Sequence, residues 1–271
     1  MSGQVLMGSK SEEKLSGTDL MEIAKDSVVR ISSKLGEAGI SRGTAFAYKQ
    51  VMTETGSTVY FLTNLHNFSK VLQARNEVFA RASQGYPDDE LFIKTIVDFG
   101  EKTYSVDKIV SCKGALLDAF QPFQDFAIFS VNTEICEEVK MFALPKANDA
   151  RAGETVYAFG FPSFTDMGIT EGIISHVYHD HENPLLQHQI QHSILINPGN
   201  SGGPTVNANG VAVGMSTWKH VGNSVTGMNF SVNVAHTFEI CRDSDLIEEV
   251  SMERIYKHFV ARAREYFKYG S

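Results

Sequence analysis

Short runs rich in β-branched and aromatic residues alternate with turn residues along most of the chain, and this rhythm limits the folds open to it. Each run is five to seven residues long. Many short strands separated by turns are typical of sandwiches and barrels, not of sheets whose strands alternate with helices. We therefore predict an all-β protein with strands within residues 28–32, 44–48, 57–63, 91–97, 126–131, 155–159, 172–177, 189–194, 211–216 and 225–230.

Local signals predict one hairpin and two helical segments. Asn209-Gly210, which readily adopts positive φ, predicts a tight turn between residues 205–206 and 211–213. A short helical pattern places Leu20, Ile23 and Ala24 on one face. Towards the end of the chain apolar residues recur every four positions, which predicts an amphipathic helix docked on the β-structure or available to a partner; they are Ile255, Phe259, Ala263 and Phe267.

The chain divides into three parts on this pattern. Residues 1–17 are predicted to be a flexible leader, 18–240 a β-domain and 241–271 a helical extension, with an irregular insertion at 69–90. A length of 271 residues suits one large β-domain or two small packed cores.

Charge and cysteine content exclude several classes of protein. The net charge is −8 and no Lys/Arg cluster is present, which argues against nucleic-acid binding. No window approaches the roughly 18 apolar residues of a membrane span, and the polar start of the chain does not resemble a signal peptide. Cys112, Cys136 and Cys241 are too few for a disulfide scaffold. These features predict a cytoplasmic protein without membrane contact.

The segment Gly-Asn-Ser-Gly-Gly-Pro carries the strongest chemical signal. A serine hydroxyl needs a base beside it and donors for the oxyanion that it creates. Glycines let the backbone turn tightly around Ser201, so the amides of Gly199 and Ser201 are the candidate oxyanion donors. The alternative is a glycine-rich turn with an incidental serine.

His66 and Asp125 are the candidates for the base and for the group that orients it. His66 follows the strand candidate at 57–63 and its extension to residue 65. A rigid strand can hold the side chain at its end over a cleft. Asp125 opens a buried apolar run, while its rivals Asp98 and Asp118 lie in turn-like or loop-like surroundings.

These segments resemble those of trypsin-like serine peptidases, and most of all the HtrA/Deg proteases. Residues 63–66 (Thr-Asn-Leu-His) and 125–128 (Asp-Phe-Ala-Ile) resemble the segments around the histidine and aspartate of that family, and 196–204 reads as its Ile-Asn-Pro-Gly-Asn-Ser-Gly-Gly-Pro. Further similar segments are 159–162, 172–175 and 227–232. The order His, Asp, Ser is that of the chymotrypsin fold.

The resemblance spans roughly residues 26–240 and implies both a fold and an activity. The implied fold is two six-stranded antiparallel β-barrels, at about 26–140 and 150–240, followed by a C-terminal α-helix. The implied activity is that of a serine endopeptidase with His66, Asp125 and Ser201 as triad, acting on proteins or peptides without a cofactor. No PDZ domain is expected in the remaining residues, so chaperone activity and cage assembly do not follow.

The resemblance also locates the substrate-binding residues. The base of the specificity pocket is expected six residues before the serine, at Leu195, which favours small or medium aliphatic side chains before the scissile bond. His192, if it lines the pocket, would favour an acidic or polar residue instead, and Trp218 is a candidate for peptide contact or for packing. The expected substrate-binding residues are Leu195, Ile196, Met215, Ser216 and Met228.

Asn200 precedes the serine where digestive zymogens carry an acidic residue that pairs with a freed N-terminus. Activation by N-terminal cleavage is therefore not expected, and loop ordering or an activating partner would govern activity. The sequence does not determine whether the chain forms a homo-oligomer.

Two alternatives remain open at this point. Five histidines lie close together, at His176, His179, His181, His188 and His192, and could hold zinc, although a solvent-facing hairpin accounts for them without a metal. We predict no metal. The chain could also be a non-catalytic peptide-binding or scaffold module on the same fold, or an effector protease that cleaves one partner.

Overall fold

The computed structural model of the chain describes residues 5–7, 14–35, 38–69, 81, 84–85, 93–115, 121–146, 149–162, 165–222, 225–254, 257 and 261. Most of the predicted insertion at 69–90, and Ile255, Phe259, Ala263 and Phe267 of the predicted tail helix, lie outside the described residues. Within the described ranges, no helix combines the length and the apolar character needed to cross a membrane.

The first half of the chain forms most of one sheet. Its elements are β1 (Val5–Met7), α1 (Gly17–Ser27), β2 (Val28–Leu35), β3 (Ala38–Met52), β4 (Ser57–Thr63), α2 (His66–Ser69), β5 (Ile93–Phe99), β6 (Lys102–Ser105), β7 (Lys108–Cys112) and β8 (Ala127–Thr133). The second half contains β9 (Thr155–Gly160), β10 (Gly168–Val177), β11 (Gln189–His192), β12 (Pro204–Asn207), β13 (Ala212–Gly222), β14 (Val225–Asn233), α3 (Val234–Cys241) and β15 (Ile247–Ser251). Every strand run predicted from the sequence overlaps one of these strands, and the predicted first helix is α1.

The two halves differ in closure. Strands β9 to β14 form a closed antiparallel barrel in the order β10-β11-β14-β13-β12-β9, as predicted. The other sheet has nine strands in the order β15-β7-β8-β4-β3-β2-β5-β6, with β1 paired to β3. Among the described residues its ends do not meet, so the prediction of a second closed barrel is wrong and this half is a half-barrel.

One edge of the half-barrel is formed by β15. Residues 247–251, predicted as helical, form β15 and pair with β7 in the register Val250↔Ile109. The sequence analysis missed this strand because Ser244-Asp245 resembles a helix cap. In the structure the segment instead forms backbone hydrogen bonds with the otherwise unpaired edge of β7. A C-terminal helix is present as α3, directly after β14, and Asn233 caps it by accepting from the amides of Ala235 and His236.

Two apolar clusters hold the molecule together. The larger one fills the half-barrel and continues across the junction to residues of the barrel, such as Phe159, Met215 and Val232. The smaller one, which includes Ile174, Ile190 and Val213, fills the barrel itself. Because the larger cluster spans the junction, the loops that meet there are supported by one continuous packed core.

Candidate catalytic site

His66 and Asp125 lie together because their strands are neighbours. β4 and β8 pair in the register Thr63↔Ala127, so the residues after β4 and those before β8 emerge at the same end of the sheet. Asp125 Oδ2 lies 2.7 Å from His66 Nδ1, and Asp125 Oδ1 accepts the backbone amide of His66 at 2.9 Å. The carboxylate therefore accepts hydrogen bonds from both the ring and the backbone amide of His66, and together these fix the position of the ring.

The two side chains of this pair differ in their burial. Asp125 ends the 3₁₀ turn Pro122–Gln124 and is 3% exposed, whereas the His66 side chain is about a quarter exposed. A carboxylate at this distance accepts a hydrogen bond from Nδ1–H, so the neutral ring carries its hydrogen on Nδ1. Nε2 is then the ring nitrogen with a lone pair for proton transfer.

Asn64 supports the His66–Asp125 pair through its side-chain amide. Its fully buried side-chain amide donates to the backbone carbonyl of Asp125 at 2.9 Å and to Thr217 Oγ1 at 3.0 Å. Thr217 in turn donates to the carbonyl of Met215 at 2.8 Å. Asn64 thus ties the backbone of Asp125 in the half-barrel to strand β13 of the barrel.

Contacts from the half-barrel hold the backbone of Ser201 in place. Its carbonyl accepts from the amide of Thr44 at 2.9 Å and from Nδ2 of Asn67, the residue after His66, at 2.9 Å. Its hydroxyl lies 3.4 Å from the carbonyl of Thr217 and is oriented to donate to it. The serine is 9% exposed, at the rim of the junction between the two halves.

The backbone around Ser201 leaves two amides unused. Asn200, Gly202 and Gly203 donate their amides to the carbonyls of residues 197, 216 and 200. Among the described residues, neither the Gly199 amide nor the Ser201 amide donates to a protein carbonyl. Buried amides without acceptors are rare in proteins. Gly199 has φ +101°, a conformation that favours glycine.

The predicted substrate-binding residues fall into two groups. Met215 and Ser216 are completely buried in β13, and Ile196 is 6% exposed. Leu195 is 67% exposed and Met228 40% exposed. The side chain of Leu195 is turned outwards in the segment after β11 and does not form the floor of an enclosed pocket, and its part in substrate binding stays a prediction. Trp218 is half-buried and stacks on Phe230, with ring centroids 4.2 Å apart.

The five clustered histidines do not converge. His192 is 1% exposed with Nε2 2.8 Å from Ser231 Oγ, while His188 stacks on His236 with ring centroids 3.3 Å apart. His176 and His181 pack against Tyr178. In the part of the chain that the structure describes, no three His, Cys, Asp or Glu side chains are grouped so as to hold a metal ion.

Burial lowers the pKa of His192 to about 4. The folded state therefore takes up this proton less readily than the unfolded state, whose pKa is about 6.5. Stability should be complete above pH 6.5 and should fall as the pH drops towards 4, by about 3 kcal/mol from this residue. Urea unfolding between pH 7 and 4 checks this. His192→Gln, which keeps a hydrogen-bonding group for Ser231 but does not titrate, should show a shallower decline, and an identical decline would contradict the assignment.

Sequence reasoning singled out His66 and Asp125, which lie together, but missed the residues that support them. Asp98, a rival for the acidic role, is exposed and accepts from Thr103 at 2.7 Å, and Asp118 lies outside the described residues. Asn64 and Asn67 were not singled out, although two asparagines that flank a histidine on a strand end could have been recognised as hydrogen-bonding supports.

Comparison with known proteins finds relatives among serine proteases. A family model described as "Trypsin-like peptidase domain" matches residues 43–215. The "Serine protease Do-like HtrA" of Bacillus subtilis is 26% identical over 255 residues, which cover 91% of this chain and 52% of that protein. "Serine protease HTRA2, mitochondrial" of Bos taurus is 32% identical over 122 residues, 44% of this chain and 25% of that protein. The chain thus spans about half the length of the first relative, and less of the second.

Solved structures share the fold. "HtrA-type protease AlgW with tripeptide" matches with a TM-score of 0.56 and 20% identity over 82% of this chain and 62% of that chain. "Crystal structure of Deg5" matches with a TM-score of 0.55 and 20% identity over 83% of this chain and 91% of that chain.

Proposed function

Because the chain belongs to the trypsin-like peptidase domain family, we propose that it is a serine endopeptidase that works through Ser201, His66 and Asp125. The observation that carries this proposal is the double hydrogen bond of Asp125 to His66. It is supported by the serine loop, where the amides of Gly199 and Ser201 have no acceptor among the described residues. The curated relatives named above are serine proteases, which supports the same class of reaction.

The proposed reaction is acyl transfer. His66 Nε2 takes the proton of Ser201 Oγ as that oxygen attacks the peptide carbonyl carbon, and the C–N bond then breaks as His66 returns the proton to the leaving amine. Water, deprotonated by His66, releases the acyl group and restores Ser201. Asp125 holds the ring and stabilises its charged form at each step.

The unused amides of Gly199 and Ser201 are the proposed oxyanion donors. They stand two residues apart, and each lacks an acceptor among the described residues while the amides around them are satisfied. Preorganised donors of this kind stabilise negative charge without a reorganisation cost, since they need not leave other partners.

We also propose that cleavage follows small or medium aliphatic residues. Leu195 and Met228 expose apolar surface, and no carboxylate stands in the segment 192–200 that precedes the serine. The alternative that His192 selects acidic residues is disfavoured, since burial lowers its pKa and keeps the imidazole neutral. A peptide library with one variable position before the scissile bond distinguishes the two. Preference for Glu or Asp would overturn the aliphatic proposal.

Labelling with a fluorophosphonate probe tests the catalytic proposal. The probe should phosphonylate wild-type protein, and peptide mass mapping should place the adduct on Ser201. Ser201→Ala should remove the label. Ser175→Ala, which replaces an exposed serine of β10, should leave it unchanged. A folded wild type that is not labelled would contradict the enzyme and favour a peptide-binding module.

Activation is proposed not to require N-terminal cleavage. Asn200 is buried and its side chain is an uncharged amide, so no carboxylate at this position is available to pair with a new N-terminus. The uncleaved chain should therefore react with the probe, which intact mass spectrometry of the adduct can verify. Proteins or peptides are the proposed substrates. A homo-oligomer or an activating partner, and a cytoplasmic location, remain predictions.

A further inference from the structure

The hydroxyl of Thr44 joins three segments at one point beneath the serine. Thr44 lies in β3 and is completely buried. Its Oγ1 donates to the carbonyl of Gly199 at 2.7 Å and accepts the amide of Phe161 at 3.1 Å. The half-barrel, the loop before β12 and the end of β9 therefore meet at one side-chain oxygen.

The backbone of Thr44 strengthens this junction. Its amide donates to the carbonyl of Ser201 at 2.9 Å, and its carbonyl accepts from Thr63 Oγ1 at 2.6 Å. One residue thus holds the serine loop at Gly199 and at Ser201, on both sides of Asn200. The two residues that it holds are those whose amides are unused.

We infer that Thr44 is a positioning residue for the oxyanion site, an inference that rests on the proposed function. Gly199 keeps φ at +101° while its carbonyl is held by Thr44, and this torsion sets the direction of its amide relative to that of Ser201. Without the hydroxyl, the Gly199 carbonyl loses its buried donor and the loop is free to turn this amide away. The segment 159–162 also gains a role, since its Phe161 amide fixes the direction of the Thr44 lone pair.

Asn67 provides a second, parallel support. Its Nδ2 donates to Thr63 Oγ1 at 3.0 Å and to the Ser201 carbonyl at 2.9 Å. Because Asn67 supports Ser201 alone and Thr44 supports Gly199 as well, the two residues should differ in their effect on the oxyanion. Thr44 should affect transition-state binding more strongly.

Replacement of the hydroxyl tests the inference. Thr44→Val keeps the shape and removes the donor, Thr44→Ala removes both, and Thr44→Ser keeps the donor. We expect kcat to fall roughly 10- to 100-fold in Thr44→Val, below the roughly 100- to 1,000-fold of a lost oxyanion donor, with KM nearly unchanged. Thr44→Ser should recover most of kcat.

Inhibitor binding separates this role from a general loss of structure. A peptide boronic acid, whose tetrahedral serine adduct carries an oxyanion-like oxygen, should bind Thr44→Val more weakly in proportion to kcat. The matching peptide carboxamide, which forms no serine adduct and ends in an uncharged group, should bind equally well. Circular dichroism and thermal unfolding identify folded variants, and Thr44→Ala replaces Thr44→Val if the latter does not fold.

The outcomes distinguish the two levels of the argument. A wild type that neither hydrolyses peptides nor binds the boronic acid would overturn the proposed function itself. An active wild type with unchanged kcat in folded Thr44→Val or Thr44→Ala would overturn only the positioning role. A Thr44→Ser variant as impaired as Thr44→Val would also overturn it, because packing of the methyl group would then be responsible.

Discussion

Asp125→Asn should lower kcat by roughly 10⁴-fold while leaving the fold intact. An asparagine amide in this place can retain the bond to the His66 backbone through its oxygen, but its NH₂ group then faces Nδ1. That donor favours the tautomer with hydrogen on Nε2, which can no longer accept the serine proton. The charged ring that forms during the reaction also loses its counterion.

Steady-state kinetics on a peptide substrate measures this loss. Fluorophosphonate labelling should slow in parallel, since the probe also needs a deprotonated serine. Asp98→Asn, which alters an exposed carboxylate of β5, serves as the matched control and should retain full activity. Comparable kcat values for Asp125→Asn and wild type would remove Asp125 from the mechanism.

Gly202→Ala should destabilise the fold by about 4 kcal/mol or more, which is an exceptional cost for one methyl group. Gly202 has φ +88°, and a Cβ there would lie 2.1 Å from the carbonyl oxygen of Thr44 and 2.2 Å from Thr63 Oγ1. Neither atom can retreat, because each belongs to a paired strand of the half-barrel.

Gly153→Ala is the control for the backbone conformation alone. Gly153 shares φ +88°, but a Cβ at this position would have no described heavy atom within 4 Å, so its replacement should cost only about 1–2 kcal/mol. Urea unfolding of the two variants measures the difference. Equal losses would show that the close approach of Gly202 to β3 and β4 contributes nothing.

Local pattern was sufficient for the strands, whereas the roles of the site residues stay predictions. Alternation and turn residues located each predicted strand, and the order of His66, Asp125 and Ser201 agreed with a known family. The register of β4 against β8 explains why two residues 59 positions apart face one another. Such pairing could be expected from the resemblance but not from periodicity.

What the sequence did not predict depends on tertiary contacts. The charged residues Glu248 and Glu249 are not typical of a strand, so the sequence of β15 does not predict one. The segment is a strand because it pairs with the edge of β7. The outward turn of Leu195 and the three contacts of the Thr44 hydroxyl and backbone amide likewise depend on segments far apart in the chain. No spacing rule within a single segment contains that information.

The pairing of β15 with β7 also has a consequence for how the molecule forms. Ile247 lies opposite Cys112, so the edge of the half-barrel is completed by a strand that follows the entire barrel in the chain. Contacts of such long range form slowly, since the loop must close before they contribute. During synthesis the edge of β7 that pairs with β15 should stay unpaired until β15 has been synthesised. A nascent chain halted before residue 247 should therefore be more sensitive to protease and to chaperone capture than the finished one.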